Sequence, residues 1–179
     1  RFTRTEAETE GILTPGLVDI HIHGGFGIDF MSATSAEILS LCHQLEEQGY
    51  EAWLPTTVTS SAKSVKAALA NLPEHPTIAG FHLEGPFISP KYPGAQPPEF
   101  IIDPPTGESE WDEILDDPRL KVITLSPERP GALALIERLV EREVVVSMGH
   151  TDATYAEANA GFEKGMSHAT HVCNAMRPF

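Results

Sequence analysis

The chain has 179 residues, 41% hydrophobic and 21% charged, with 26 acidic against 12 basic residues and a net charge of −14. This is the composition of a globular domain with a sizeable core, and its acidic balance argues against nucleic acid or an anionic membrane, either of which needs a basic footprint. No stretch approaches the roughly 18 apolar residues of a membrane span. There is no signal-peptide pattern. Cys42 and Cys173 are too few for a disulfide framework, so a cytoplasmic location is expected.

Residues 1–12 are polar, show no period and read as an incoming connection. The stretch LTPGLVDIHIHGG, Leu13 to Gly25, then reads as a strand over Leu17–Ile22, entered through Pro15-Gly16 and left through Gly24-Gly25. Alternation puts Asp19, His21 and His23 on one face and Val18, Ile20 and Ile22 on the other. The apolar face suits a layer of covering helices. The polar face is costly to bury unless something satisfies it, and a divalent metal does so well. Taken alone, the His-x-His is equally what two hydrogen-bonded or surface histidines look like.

Thr34-x-x-Glu37 forms a capping box before a helix whose buried face is Ile38, Leu41, Cys42 and Leu45 and whose stop is Gly49. A strand over Tyr50–Thr59, a helix over Ser61–Leu72 and a strand over Thr77–Glu84 follow, the last with His82 and Glu84 on one face. The segment from Lys91 to Leu120 is proline-rich, with one short helix over Trp111–Leu115. An irregular insertion of that length is usually functional or disordered. Beyond it come a strand over Lys121–Ser126 and a helix over Pro130–Arg142 with proline in its first turn. Val144–His150 reads as a central parallel strand, apolar on both faces. Thr154-x-x-Glu157 caps another helix that stops near Gly165, and Ser167–Val172 is a sixth strand.

This alternation predicts a parallel sheet with helices outside it. An open doubly wound sheet and a (β/α)8 barrel both fit the pattern. The barrel is favoured because the ligand-type residues sit at the C-terminal ends of different strands, and because no glycine-rich phosphate fingerprint follows the first strand. A full barrel takes about 250 residues. The expectation is therefore an incomplete (β/α)8 TIM-type barrel, six strand–helix units of eight.

Four strand ends offer metal ligands: His21 and His23 from the first strand, Glu84 from the third, His150 from the fifth and His171 from the sixth. Neutral imidazole with carboxylate is what zinc or iron(II) binds. Such an ion lowers the pKa of water and polarises a carbonyl, which points to metal-assisted hydrolysis. His43 and His75 read as solvated, and His82 and His168 as structural or as supports behind the ligands rather than ligands themselves.

The motifs PGLVDIHIHG, HLEGPF (His82 to Phe87), GHTDA (Gly149 to Ala153) and HATHVCNAM (His168 to Met176) together resemble the N-acetylglucosamine-6-phosphate deacetylase family of the amidohydrolase superfamily. They run in the family's order and span nearly the whole chain from Leu13. The resemblance implies metal-dependent deacetylation of N-acetylglucosamine 6-phosphate to glucosamine 6-phosphate and acetate, by attack of activated water on the acetamide. It implies Glu84, His150 and His171 as principal ligands of a divalent ion, with His21 and His23 supplying a second position, so one or two ions are expected. Asn174 and Ala175 match the segment that contacts the sugar, and Ala95 and Gln96 match a loop that reaches substrate from the insertion. Some members carry His where Gln96 stands; Gln still donates a hydrogen bond to an acetamide oxygen but cannot be cationic.

The family's general base, an Asp at the end of the eighth strand, is expected beyond Phe179, as are its phosphate-binding residues. No catalytic base is therefore expected in this chain. Residues 1–12 would arrive from a small β domain, residues 13–179 would be the N-terminal part of the barrel, and the Pro-rich insertion would occupy 91–120. A homodimer is implied for the full-length protein, with a small amino-sugar phosphate as its partner molecule. Two other readings stay open. One is a different amidohydrolase, dihydroorotase-like or deaminase-like; those often bridge two metals with a carboxylated lysine on the fourth strand, where this chain has only Lys121 at the strand's start. The other is a non-catalytic metal- or sugar-binding fragment.

Overall fold

The computed structural model describes residues 14–178. The expected connection over 1–12 lies outside the described residues.

The first strand, β1 (Leu17–Ile22), has the expected bounds and is followed by a two-residue antiparallel pair, β2 (Gly24–Gly25) with β3 (Ile28–Asp29). Helix α1 (Ser35–Glu47) starts at the Thr34–Glu37 capping box and buries Ile38, Leu41, Cys42 and Leu45. Next come β4 (Tyr50–Pro55), α2 (Ala62–Ala70) and β5 (Phe81–Glu84). After the insertion and its short helix α3 (Asp112–Leu115) stand β6 (Leu120–Leu125), α4 (Ala132–Val140), β7 (Val145–Met148), α5 (Tyr155–Glu163) and β8 (His168–Ala169).

Strand β1 pairs in parallel with β4, and β5, β6, β7 and β8 form a parallel four-strand ladder. Parallel bridges from Trp53 to Ile78 and from Thr56 to His82 join β4 to β5. The order β1-β4-β5-β6-β7-β8 is thus one continuous run of six parallel strands, the incomplete barrel that the alternation predicts. Every C-terminal strand end consequently opens on the same rim. The core lies between strands and helices, where Trp53, Phe81, Leu83, Ile123, Leu125 and Val146 meet Leu41, Val65, Leu69, Leu135 and Leu139.

Three local expectations are corrected. The apolar face of β1 is not covered by helices: Val18 is 63% and Ile20 46% exposed, and only Ile22 packs against the core. Helix α1 returns over β3 and β4 instead. The sixth strand is only two residues long, because the backbone turns left-handed at His171, Cys173 and Ala175. Helix α4 begins at Ala132 with Gly131 as N-cap, so Pro130 precedes the helix rather than occupying its first turn. Of the two alternatives for the insertion, the structure shows an ordered segment with the expected short helix: Trp111, Ile114 and Leu115 are buried, and the Trp111 ring lies edge-on to Phe87 at 5.4 Å.

Candidate metal centre

Glu84 ends β5 inside the barrel mouth, 1% exposed. Its Oε1 lies 3.1 Å from His21 Nε2, 3.3 Å from His150 Nε2 and 3.4 Å from His171 Nε2, and its Oε2 lies 3.2 Å from His23 Nε2. The imidazoles also approach one another, His150 to His171 at 3.0 Å and His21 to His23 at 3.3 Å between Nε2 atoms. All five residues singled out in the sequence as ligands therefore meet at one place, in two groups that share Glu84.

The far side of each ring settles what these contacts are. His23 Nδ1 lies 3.1 Å from the Thr56 carbonyl, His150 Nδ1 3.1 Å from the Tyr92 carbonyl and His171 Nδ1 3.0 Å from the Asn174 carbonyl. A carbonyl only accepts, so Nδ1 carries the hydrogen in all three rings, and in the neutral imidazole Nε2 is left with a lone pair. Three lone pairs thus point at a carboxylate and, for His150 and His171, at each other. That arrangement is repulsive until a cation lies among them. Nitrogen and oxygen donors 2.0–2.1 Å from a tetrahedral zinc stand about 3.3 Å apart, and the spacings here run from 3.0 to 3.4 Å. The donor set fits a divalent ion, and the backbone carbonyls orient its imidazoles as metal-bound histidines are commonly oriented.

Burial pushes the Glu84 carboxyl upward, but its contacts with the His150, His21 and His23 imidazoles outweigh it and hold the group far below the usual carboxylate range. The Glu84 contact raises the His23 imidazole against the lowering effect of its own burial. A third group, His43, Glu46 and His75, also gathers ligand-type atoms. There the Thr77 backbone N–H donates to His75 Nδ1, which places the ring hydrogen on Nε2, 4.0 Å from Glu46. That is a hydrogen-bonded polar cluster, and His75 is half-buried against Thr77 rather than solvated as expected; His43 is exposed.

The local chain explains the motifs. A Cβ at Gly149 would stand 2.6 Å from Thr124 Cγ2 and 3.0 Å from Thr170 Cβ, so only glycine lets β7 run into His150 at this depth. Gly85 has φ +69° with its Cβ direction filled by the Thr59 hydroxyl, which accounts for the glycine after Glu84. His150 and His171 themselves hold positive φ, +48° and +33°. Such backbone costs of order 1–3 kcal/mol per residue and concentrates at functional sites.

His82 is not in the ligand set. Its Nδ1 donates to the Ile20 carbonyl at 2.9 Å, so Nε2 accepts from the Thr124 hydroxyl at 2.7 Å. Thr124 in turn accepts from Thr170 at 2.8 Å, and Thr170 from Ser147 at 2.7 Å. The run Ser147–Thr170–Thr124–His82–Ile20 is a directed chain of hydrogen bonds across the barrel interior, tying β7, β8, β6, β5 and β1. Burial, then the charge of His21, lowers the His82 imidazole to about 4, in keeping with a neutral ring. His168 bonds Ser167 on an exposed edge. Asp19 accepts the His21 backbone N–H at 2.9 Å and orients β1 rather than a ligand ring.

Of the residues expected to reach substrate, Asn174 is exposed on the rim beside His171, and Ala175 lies against Gly94 of the Pro93–Gln96 loop. Ala95 is exposed on that loop. Gln96 is buried, and its amide faces Glu84 and Thr59. The hydroxyl chain and this amide contact were missed in the sequence. The only signal for them was Thr124 standing among the apolar Val122, Ile123 and Leu125, and His82 sharing the face of Glu84.

A carboxylate and fixed histidines on the C-terminal rim of parallel barrel strands is the arrangement that metal-dependent barrel enzymes use. The chain belongs to the amidohydrolase family, whose model matches residues 12–178. It is 38% identical to N-acetylglucosamine-6-phosphate deacetylase of Bacillus subtilis (strain 168), over 97% of this chain and 46% of that protein. It is 33% identical to N-acetylgalactosamine-6-phosphate deacetylase of Escherichia coli O157:H7, over 96% of this chain and 47% of that one. Among solved structures, N-acetylglucosamine-6-phosphate deacetylase from Thermotoga maritima superposes with a TM-score of 0.86 at 35% identity, covering 98% of this chain and 48% of its own. A mutant of the Mycobacterium smegmatis enzyme, solved in complex with N-acetyl-D-glucosamine-6-phosphate, superposes at 0.84 with 37% identity, covering 92% and 44%. The chain spans about half the length of the curated relatives it matches.

Proposed function

We propose that this chain is the metal-binding part of a hydrolase that removes the acetyl group from N-acetylglucosamine 6-phosphate. The carrying observation is the convergence of fixed imidazole lone pairs on Glu84, in a chain whose relatives are named as deacetylases of acetamido-sugar phosphates. Glu84, His150 and His171 would hold the principal ion, and His21 and His23 with the same carboxylate a second. When bound, such an ion polarises an amide carbonyl and acidifies water. The chain's own part is to keep three imidazoles neutral and aimed through their carbonyl-bound Nδ1 atoms, and to place one anionic ligand among them. Asn174, Ala175 and Ala95, on the rim and the facing loop, are the side chains we assign to the sugar.

Zinc or iron(II) suits this nitrogen and oxygen set. A cytoplasmic homodimer, with residues 1–12 leading in from a small β domain and 13–179 forming the first part of the barrel, completes the reading. Among the described residues, Glu84 is the one carboxylate in either histidine group around it, which supports placing the general base elsewhere in the longer protein.

The test is acetate release from N-acetylglucosamine 6-phosphate by a protein of the relatives' length, with N-acetylgalactosamine 6-phosphate and dihydroorotate as competing substrates. Release that a chelator abolishes and zinc or iron(II) restores is expected, and none from the 179-residue chain alone. Turnover of dihydroorotate but not of the acetamido sugars would overturn the reading. Chelator-sensitive release by the 179-residue chain would show that its general base lies within residues 1–179.

A further inference from the structure

Gln96 was expected to meet substrate, yet both ends of its amide are engaged inside the protein. The Thr59 backbone N–H, which can only donate, lies 2.7 Å from Gln96 Oε1. That contact fixes the amide's orientation and turns Nε2 toward Glu84, where it donates to Oε2 at 2.6 Å. The Thr59 hydroxyl donates to the Glu84 backbone carbonyl at 3.3 Å. Thr59, Gln96 and Glu84 therefore close a ring of three hydrogen bonds, with Gln96 only 6% exposed. The terminal torsion of a glutamate is broad and roughly two-fold when nothing holds it. Here one oxygen is held, and the other, Oε1, is left facing His21, His150 and His171.

We propose that Gln96 is a positioning residue of the metal centre: it locks the Glu84 carboxylate so that Oε1 is presented to the His150–His171 pair, and thereby sets the affinity for the ion. The proposal rests on the reading of Glu84 as a metal ligand, and it assigns Gln96 to the ligand rather than to the acetamide oxygen. Partners that orient metal ligands typically change affinity by about 10–100-fold when removed.

The experiment is zinc binding to the 179-residue chain, measured by competition with a chromophoric chelator and without substrate, alongside the melting temperature of the metal-free protein. Gln96→Met keeps the side chain's length and removes its donor; about 10–100-fold weaker zinc binding is expected. Gln96→His, which restores a donor, should recover most of the loss. In a Glu84→Gln background the Gln96→Met change should add nothing further, because neighbours acting through one group are not additive. A purely structural role would lower the melting temperature of metal-free Gln96→Met and leave zinc affinity unmoved in the folded protein. Unchanged affinity in Gln96→Met, or an equal loss in the Glu84→Gln background, would overturn the proposal alone. A wild-type chain that binds no zinc would overturn the metal reading and this proposal with it.

Discussion

Thr124→Val tests the hydrogen-bond chain across the barrel. The Thr124 hydroxyl is fully buried between His82 Nε2 at 2.7 Å and Thr170 Oγ1 at 2.8 Å. Valine fills the same space and removes both contacts. His82 Nε2 then faces a methyl group while its Nδ1 stays on the Ile20 carbonyl, and Thr170 keeps only Ser147. Stranding a buried polar atom costs about 1–3 kcal/mol, and a second lost bond adds about 1 kcal/mol. The added methyl returns about 0.8 kcal/mol. The net expectation is a destabilisation of about 2 kcal/mol, which corresponds to a melting temperature lower by about 4–8 °C for a domain of this size. Urea unfolding followed by fluorescence of Trp53 and Trp111 measures it. The same chain ties β1 to β5, and β1 otherwise pairs only with β4 among the described residues. The His82–Ile20 bond survives in the variant, so the loss should appear as faster amide exchange around β6 and β8, where Thr124 meets Thr170, with β1 little changed. A valine variant as stable as wild type, with exchange around β6 and β8 unchanged, would refute the claim that this chain holds the barrel together.

Other expectations concern the site. His150→Ala removes a ring within 3.3 Å of Glu84 and 3.0 Å of His171, and the variant should retain markedly less zinc by elemental analysis; unchanged metal content would strike His150 from the ligands. Gly149→Ala forces a methyl group against Thr124 and Thr170 and should cost about 1–3 kcal/mol of stability in urea; an unchanged midpoint would mean that the strand end yields freely. Free zinc at 100 times its dissociation constant should stabilise the wild-type chain by about 2.7 kcal/mol, reversed by EDTA, whereas Glu84→Ala should show little gain. An equal zinc shift in Glu84→Ala would place the binding site elsewhere.

Much of this was legible in the linear sequence. The capping boxes at Thr34 and Thr154 announce α1 and α5 because a side chain and a backbone N–H three residues apart satisfy each other locally. Strand–helix alternation implies a parallel sheet, since parallel strands need crossovers. A parallel sheet brings the strand ends to one side, so His21, His23, Glu84, His150 and His171 stand out as a group from their strand-end positions alone. Those inferences depend on neighbours in sequence or on a rule of connection.

What the tertiary structure alone decided depends on groups far apart along the chain. Which ring nitrogen of His150 is free follows from the carbonyl of Tyr92, 58 residues away, and the tautomer of His82 from the carbonyl of Ile20, 62 residues away. Ile20 lines the open barrel interior together with His82, Val122 and Ser147, a placement that hydrophobic alternation cannot specify. Gln96 is the clearest case. As a residue type it can serve a substrate or a ligand equally well, and only the Thr59 N–H on one side and the Glu84 carboxylate on the other orient its amide. Periodicity records which face a side chain occupies, but a hydrogen bond's direction depends on the partner that the fold brings to it.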